Sequence, residues 1–347
     1  MLELTTGDLL QAEVEALVNT VNTKGVMGKG IALQFKKAYP ENFRQYKAAC
    51  DKNALDVGQV LTHDAGGLVR PRYIINFPTK RHWRSPSKLE YVELGLRALV
   101  DEVRRLRIQS IAVPPLGCGN GGLPWAEVLP CIDAAFGPLQ DVRVLVFAPA
   151  GAPAPETMKH RTPRPKMTRG RASLLALMAR YHFPDYDYPL TLIEAQKLLY
   201  FMQLAGEPLR LDYQRGHYGP YADNLRHVLH HLEGHYIIGF GDGRNQPDTP
   251  LTPLPGAAEE AEAFLAQHPD TQARLERVAR LIEAFETPFG MELLASVHWV
   301  EVSRPPEERS PESALRDVHA WSERKRERMR HAHVSAAWER LRAQAWL

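Results

Sequence analysis

The sequence is poor in several features, and each shortage removes a class of protein. It holds three cysteines, Cys50, Cys118 and Cys131, with no metal-ligand or disulfide-framework spacing among them. That excludes a disulfide-stapled scaffold and fits a reducing cytosol. No apolar run is long enough to span a bilayer. The start, MLELTTGDLL, lacks the basic flank and apolar stretch of a signal peptide, so a cytoplasmic protein is expected. Charge of one sign is scarce as well. Lys plus Arg number 43 against 41 Asp plus Glu, and the net +2 is too small to argue for nucleic acid by itself. The phosphate-binding signatures of nucleotide enzymes are missing. After Gly28-Lys29 comes Gly30 rather than Ser or Thr, and Thr23 stands where a Walker A loop opens with glycine. The dinucleotide glycine spacing fails too. His63, His82 and the pair His230-His231 have no ligand partners at suitable spacing, so neither metal nor cofactor is expected.

What the chain does have is organisation. Its 347 residues suggest two domains. In the first half, strand and helix signals alternate: strands at 2–5, 16–20, 59–64, 73–77, 111–114 and 142–147, helices at 31–47 (broken near Pro40), 88–105 and 125–136. The helix at 88–105 is amphipathic, with Leu89, Val92, Leu96, Leu99, Val100 and Val103 on one side. Such alternation predicts a layered α/β domain whose ligand sits beyond the carboxyl ends of the strands. Residues 150–171 carry Gly151, Pro153, Pro155, Pro163 and Pro165 without a hydrophobic period, and read as an exposed linker. The second half is mainly helical. The expected division is 1–155, a linker over 156–171, and 172–347.

The stretch 19–35, NTVNTKGVMGKGIALQF, is the centre of the first half. A strand signal precedes it and a helix signal follows. Gly25, Gly28 and Gly30 let the backbone approach a ligand, and a helix N-terminus behind them offers N–H groups to an anion. A second glycine-rich turn, Gly117-Cys118-Gly119-Asn120-Gly121-Gly122, follows the strand at 111–114. Either loop alone could be an ordinary strand–helix turn. Two on one sheet edge can clamp a diphosphate through backbone N–H groups.

These residues resemble a known family. Thr6-Gly7-Asp8-Leu9-Leu10, Leu17-Val18-Asn19-Thr20-Val21-Asn22, the first glycine loop and Pro115-Leu116-Gly117-Cys118-Gly119 are similar to the macrodomain, the ADP-ribose-binding module. That implies a three-layer α/β/α fold on a mixed sheet. The form of 22–37 resembles the branch that holds the terminal ADP-ribose protein glycohydrolase and the DarG-like antitoxins, which remove ADP-ribose from DNA. The resemblance implies that Asp8 accepts from the adenine amino group, with Leu9 beside it. It implies that Asn19, Gly28, Gly30, Ile31, Gly117, Cys118, Gly119, Asn120 and Gly121 surround the diphosphate and distal ribose. Asn22 would hold the ribose hydroxyls, and Lys80 matches the catalytic lysine. Each has a plainer alternative: Asp8 can cap a turn, a lysine after a strand is usually solvated, and Cys118 can be a small filler. One departure stands out. The terminal glycohydrolase has an aspartate where this chain has Gly121, which puts a Lys–Asp mechanism in question and leaves Lys80 with Asn22 and water.

Lysine suits the implied chemistry. The bond joins an anomeric carbon to a thymine ring nitrogen, which departs with negative charge. An ammonium can protonate it or stabilise that charge, and a neutral amine can instead attack the carbon. The residues do not separate the two. The second half carries Leu192-Ile193-Glu194-Ala195-Gln196-Lys197-Leu198-Leu199-Tyr200-Phe201 and then Gly216-His217-Tyr218-Gly219-Pro220-Tyr221, which resemble the SocA-like antitoxin domain. That implies a partner-binding domain, with Tyr218, Pro220 and Tyr221 as contacts and a DarT-type DNA ADP-ribosyltransferase as the toxin. As local structure, Pro220 need only end an extended segment and start a helix. The basic run 324–330 could touch DNA phosphates, but reads first as a solvated helix face. The rival expectations are a protein-ADP-ribose hydrolase and a non-catalytic ADP-ribose reader.

Overall fold

The computed structural model describes residues 2–66, 70–154, 157–181, 190–241 and 246–347. The chain divides into two compact units, the first Met1–Pro163 and the second from Arg164 to the C-terminus.

The first unit is built on a six-stranded sheet. Its strands are β1 (Leu2–Thr5), β2 (Ala16–Asn22), β3 (Leu61–Asp64), β4 (Tyr73–Lys80), β5 (Ser110–Val113) and β6 (Arg143–Phe147), in the order β1-β6-β5-β2-β4-β3. Every pairing is parallel except β3 with β4. The central strands read as near-continuous apolar runs because both faces are covered. On one face lie α3 (Leu89–Leu106) and α4 (Trp125–Phe136), packing Val92, Leu96, Val128 and Ile132 against Val18, Ile75 and Val113. Gly95 lets α3 approach closely, since a Cβ there would collide with the Phe77 ring. On the other face α1 (Gly30–Ala38) brings Phe35 and Ala38 against Leu17 and Ile74. The helix α2 (Pro40–Asp51) follows directly, with Pro40 at its first turn, so the expected helix over 31–47 is two.

Two expectations need correction. Strand β4 does not stop at Phe77 but runs through Pro78 to Lys80. Proline lacks an N–H for the ladder, and the register shifts between Val21 and Asn22 opposite it. The stretch read as an exposed linker is partly docked. Thr157 O accepts from Gln11, Lys159 Nζ donates to Leu10 O, Arg161 N donates to Lys37 O, and Met158 is buried. Residues 155–156 of that stretch lie outside the described residues.

The second unit is mainly helical around one large core. Its elements are α5 (Arg169–Arg180), α6 (Leu192–Leu204), the hairpin β7 (Tyr213–Gly216) and β8 (Gly219–Ala222), α7 (Leu225–Leu232), and the short pair β9 (Ile237–Ile238) and β10 (Thr252–Pro253). Then come α8 (Ala257–Leu265), α9 (Pro269–Ile282), α10 (Pro288–Val302), α11 (Pro311–Trp321), α12 (Glu323–Arg328) and α13 (His331–Ala343). A capping box at Thr191 and Glu194 starts α6, whose residues are buried almost all round. Pro220 does not start a helix. It is buried inside β8, and its carbonyl accepts from the fully buried Lys197 Nζ at 2.7 Å. The basic run also differs from expectation. Lys325 has 0% exposed surface and pairs with Glu292, which takes a two-pronged bond from Arg324 at 2.7 and 2.9 Å. Among the described residues no helix is long and apolar enough to cross a membrane.

Candidate active site

The parallel register brings the two halves of the site together. Asn22, at the end of β2, pairs across the ladder with Lys80, at the end of β4. The Asn22 amide shapes the first glycine loop: its Nδ2 donates to Val26 O at 2.6 Å, and its Oδ1 accepts from Lys24 N at 2.9 Å. Its backbone carbonyl accepts from the buried Tyr46 hydroxyl at 2.6 Å, so the strand end is fixed from below. Asn19 lies deeper. It is fully buried and donates to Asn76 Oδ1 at 3.0 Å, while Asn76 exchanges bonds with Asn42. This buried amide network supports the loop from beneath.

The loop ends at α1. Its N-cap residue, Lys29, makes no side-chain capping bond, so the first N–H groups of the helix remain open to an acceptor. Gly30 has φ +62°, and a Cβ there would come 2.8 Å from Asn120 Nδ2. The two glycine loops therefore touch at Gly30 and Asn120. Gly28 is exposed and Ile31 half-buried beside it. Asp8 lies three residues beyond β1, where its Oδ1 caps the turn Leu9–Gln11 by accepting from Leu10 N at 2.9 Å. Its Oδ2 makes no hydrogen bond to the described residues, so the turn-capping role leaves one oxygen for a donor. Leu9 is buried under that turn.

Lys80 bridges the loops. Its half-buried Nζ donates to Asn120 O at 2.8 Å, and burial pushes its pKa below the ordinary lysine value. The second loop offers it no acid. Gly121 is buried, and a Cβ there would collide with Ser87 Oγ and with the Gly117 carbonyl. Packing thus disfavours an aspartate here, because any side chain would force the Gly117 carbonyl and its backbone to shift. Gly117 has φ +74° and is hemmed in less tightly, by the Leu123 and Ser87 side chains, whereas Gly119 has open space where a Cβ would stand. Burial pushes the Cys118 thiol up to about 11, so it is no nucleophile near neutral pH. Sequence reasoning missed Tyr46, Asn42, Asn76 and Ser87. None carries a local signal, since each acts through a contact distant in sequence.

In the second unit an open groove of about 630 Å³ is lined by Tyr200, Leu204, Tyr213, Trp299 and Val302 among others. Its walls carry no paired nucleophile and base. Tyr218 and Tyr221 are half-buried, with the Arg324 guanidinium 4.5 Å over the Tyr218 ring. Of the expected contacts, Pro220 is therefore interior, while Tyr218 and Tyr221 keep part of their surface accessible.

The α/β/α layering, the mixed sheet and two apposed glycine loops beyond its strand ends define the first unit as a macrodomain, and the Macro domain family matches residues 18–132. Over nearly its whole length the chain is similar to curated relatives named DNA ADP-ribosyl glycohydrolase. That of Thermus aquaticus is 48% identical, over 94% of this chain and 89% of its own. That of Mycobacterium tuberculosis is 42% identical, over 98% and 99%. The chain belongs to the DNA ADP-ribosyl glycohydrolase family. A solved structure titled "Macrodomain of Thermus aquaticus DarG" is 56% identical over 43% of this chain and 99% of its own, with a TM-score of 0.42. A Thermosipho africanus relative named as a fusion of DNA ADP-ribosyl transferase and glycohydrolase is 37% identical over 37% of each chain.

Proposed function

We propose that this protein is the antitoxin of a toxin–antitoxin pair, and that it hydrolyses the N-glycosidic bond between ADP-ribose and thymidine in DNA. The observation that carries the reading is Lys80 Nζ, held at Asn120 O between the two glycine loops and register-paired with Asn22. ADP-ribose lies along the strand ends. The Asp8 carboxylate meets adenine, the α1 N-terminus and the loop 117–121 take the diphosphate, and Asn22 holds the loop against the distal ribose. The anomeric carbon then faces Lys80.

In the reaction, the bond from the anomeric carbon to the thymine nitrogen breaks with its electron pair going to nitrogen. The Lys80 ammonium delivers a proton to that nitrogen. Water adds to the anomeric carbon and returns a proton to solvent or to the lysine. The products are ADP-ribose and unmodified thymidine. The closed space at Gly121 favours this acid role over a Lys–Asp pair, because a carboxylate placed there to assist a covalent route would force the Gly117 backbone to shift. A non-catalytic reader has no need of a half-buried lysine between its phosphate loops.

The second unit binds the cognate DNA ADP-ribosyltransferase toxin. A relative that carries transferase and glycohydrolase in one chain supports pairing of the two activities. The partner surface is the groove beside β7, where Leu204 and Val302 are 42% and 44% exposed, with Tyr218 and Tyr221 at the nearby hairpin. The test runs DNA carrying ADP-ribosylated thymidine beside ADP-ribosylated protein. ADP-ribose release from DNA alone supports the reading, and release from protein alone replaces it with the protein hydrolase.

A further inference from the structure

The loop after Lys80 differs from its surroundings. Residues 80–88 read KRHWRSPSK and contain no acid. At its tip Trp83 is 40% exposed. The His82 ring stacks on the indole at 5.4 Å between centroids, and the Arg84 guanidinium lies 4.4 Å from the indole centroid. The tip is turned back on itself by bonds from Ser85 N to His82 O at 3.0 Å and from Arg84 N to His82 Nδ1 at 3.2 Å.

Both ends of the loop are tied to the site. Thr23 Oγ1 of the first glycine loop donates to Arg81 O at 2.9 Å. Ser87 N donates to Gly121 O of the second at 2.9 Å. Arg81 is consumed by Asp56, with two bonds of 3.1 Å. Arg84 and Lys88 form no ion pair with the described residues, so their charges are available to a polyanion. An anchored loop thus carries an aromatic and basic tip at the rim of the cleft, three residues beyond Lys80.

We infer that His82, Trp83 and Arg84 form a stacking platform for the nucleotide adjoining the modified one in single-stranded DNA. The inference rests on the DNA reading above. ADP-ribose fills the cleft along the strand ends, so the base leaves at Lys80 and the rest of the strand must pass this rim. A base stacks on an exposed indole or guanidinium whatever its identity, and Arg84 and Lys88 meet the flanking phosphates. The platform therefore recognises a strand rather than a sequence.

The test compares two substrates with the full chain: a single-stranded oligonucleotide bearing ADP-ribosylated thymidine, and the ADP-ribosylated mononucleotide. Trp83→Ala should raise KM for the oligonucleotide roughly ten-fold or more, the effect of losing one base stack. Its kcat, and its kcat/KM on the mononucleotide, should match wild type. Trp83→Phe should recover most of the loss, and Arg84→Ala should flatten the dependence of KM on salt. Equal effects of Trp83→Ala on both substrates, or none on either, would overturn the platform. A wild-type protein that releases no ADP-ribose from the oligonucleotide would instead overturn the DNA reading on which it rests.

Discussion

The Gly121→Ala variant probes how the site is held. A Cβ at this position collides with Ser87 Oγ and with the Gly117 carbonyl. A serine side chain can rotate, but a carbonyl within a tight loop moves only with its backbone. The Gly121 carbonyl also accepts from Ser87 N, and the preceding carbonyl, Asn120 O, anchors Lys80. Overpacking of this kind costs about 1–3 kcal/mol. For a unit of this size that lowers its melting midpoint by roughly 2–4 °C per kcal/mol. The larger effect falls on chemistry, because displacing Asn120 O misplaces Lys80 Nζ, and an error of about 1 Å costs on the order of 10²-fold in rate. Calorimetric titration with ADP-ribose and single-turnover release from ADP-ribosylated DNA measure both. Ser87→Gly added to Gly121→Ala should not restore either, since the Gly117 carbonyl remains. Wild-type affinity and rate in Gly121→Ala would refute the packing argument.

Three further outcomes follow from the geometry. Glu292→Gln leaves Lys325 and Arg324 without their buried carboxylate, and should cost the second unit about 3–5 kcal/mol while ADP-ribose binding persists; a thermal scan with calorimetric titration reads both. Burial raises the Glu292 carboxyl, but Arg324 and Lys325 outweigh it and hold it below 4.5, so this stabilisation is present above that pH and lost as pH falls through the lowered value. If the Lys80 ammonium is the acid, kcat should fall as pH rises through a pKa below the ordinary lysine value of about 10.4, whereas a rising limb would indicate the neutral amine as nucleophile. Residues 164–347, which carry their own core, should bind the toxin and lower its toxicity without glycohydrolase activity; a folded fragment that does neither in pull-down and growth assays removes the partner role.

Much of the first unit was legible because its signals are local. Apolar runs gave β2, β5 and β6, a 3.6-residue period gave α3, and α4 fell at Trp125–Phe136 as read. The extension of β4 to Lys80 was hidden by Pro78, which argues against strand in any local reading. The glycine loops were visible as composition, but their contact at Gly30 and Asn120 is a product of sheet order. Gly121 was noticed as a departure, while the reason for it lies in Ser87 and Gly117. In the second unit the basic run 324–330 looked solvated because its counter-charge, Glu292, stands on another helix. Pro220 looked like the start of a helix because nothing near it in sequence announces that it continues a strand whose carbonyl takes the buried Lys197 Nζ.

The account turns on Lys80, and one measurement addresses it most directly. ADP-ribose release from an oligonucleotide carrying ADP-ribosylated thymidine is followed under single-turnover conditions for wild type and Lys80→Ala, with ADP-ribose affinity measured on the same samples. The rate should drop by roughly 10² or more, the scale of a lost general acid, while affinity changes little because both glycine loops and Asp8 remain. Near-wild-type release by Lys80→Ala would contradict the mechanism and take Lys80 out of the chemistry.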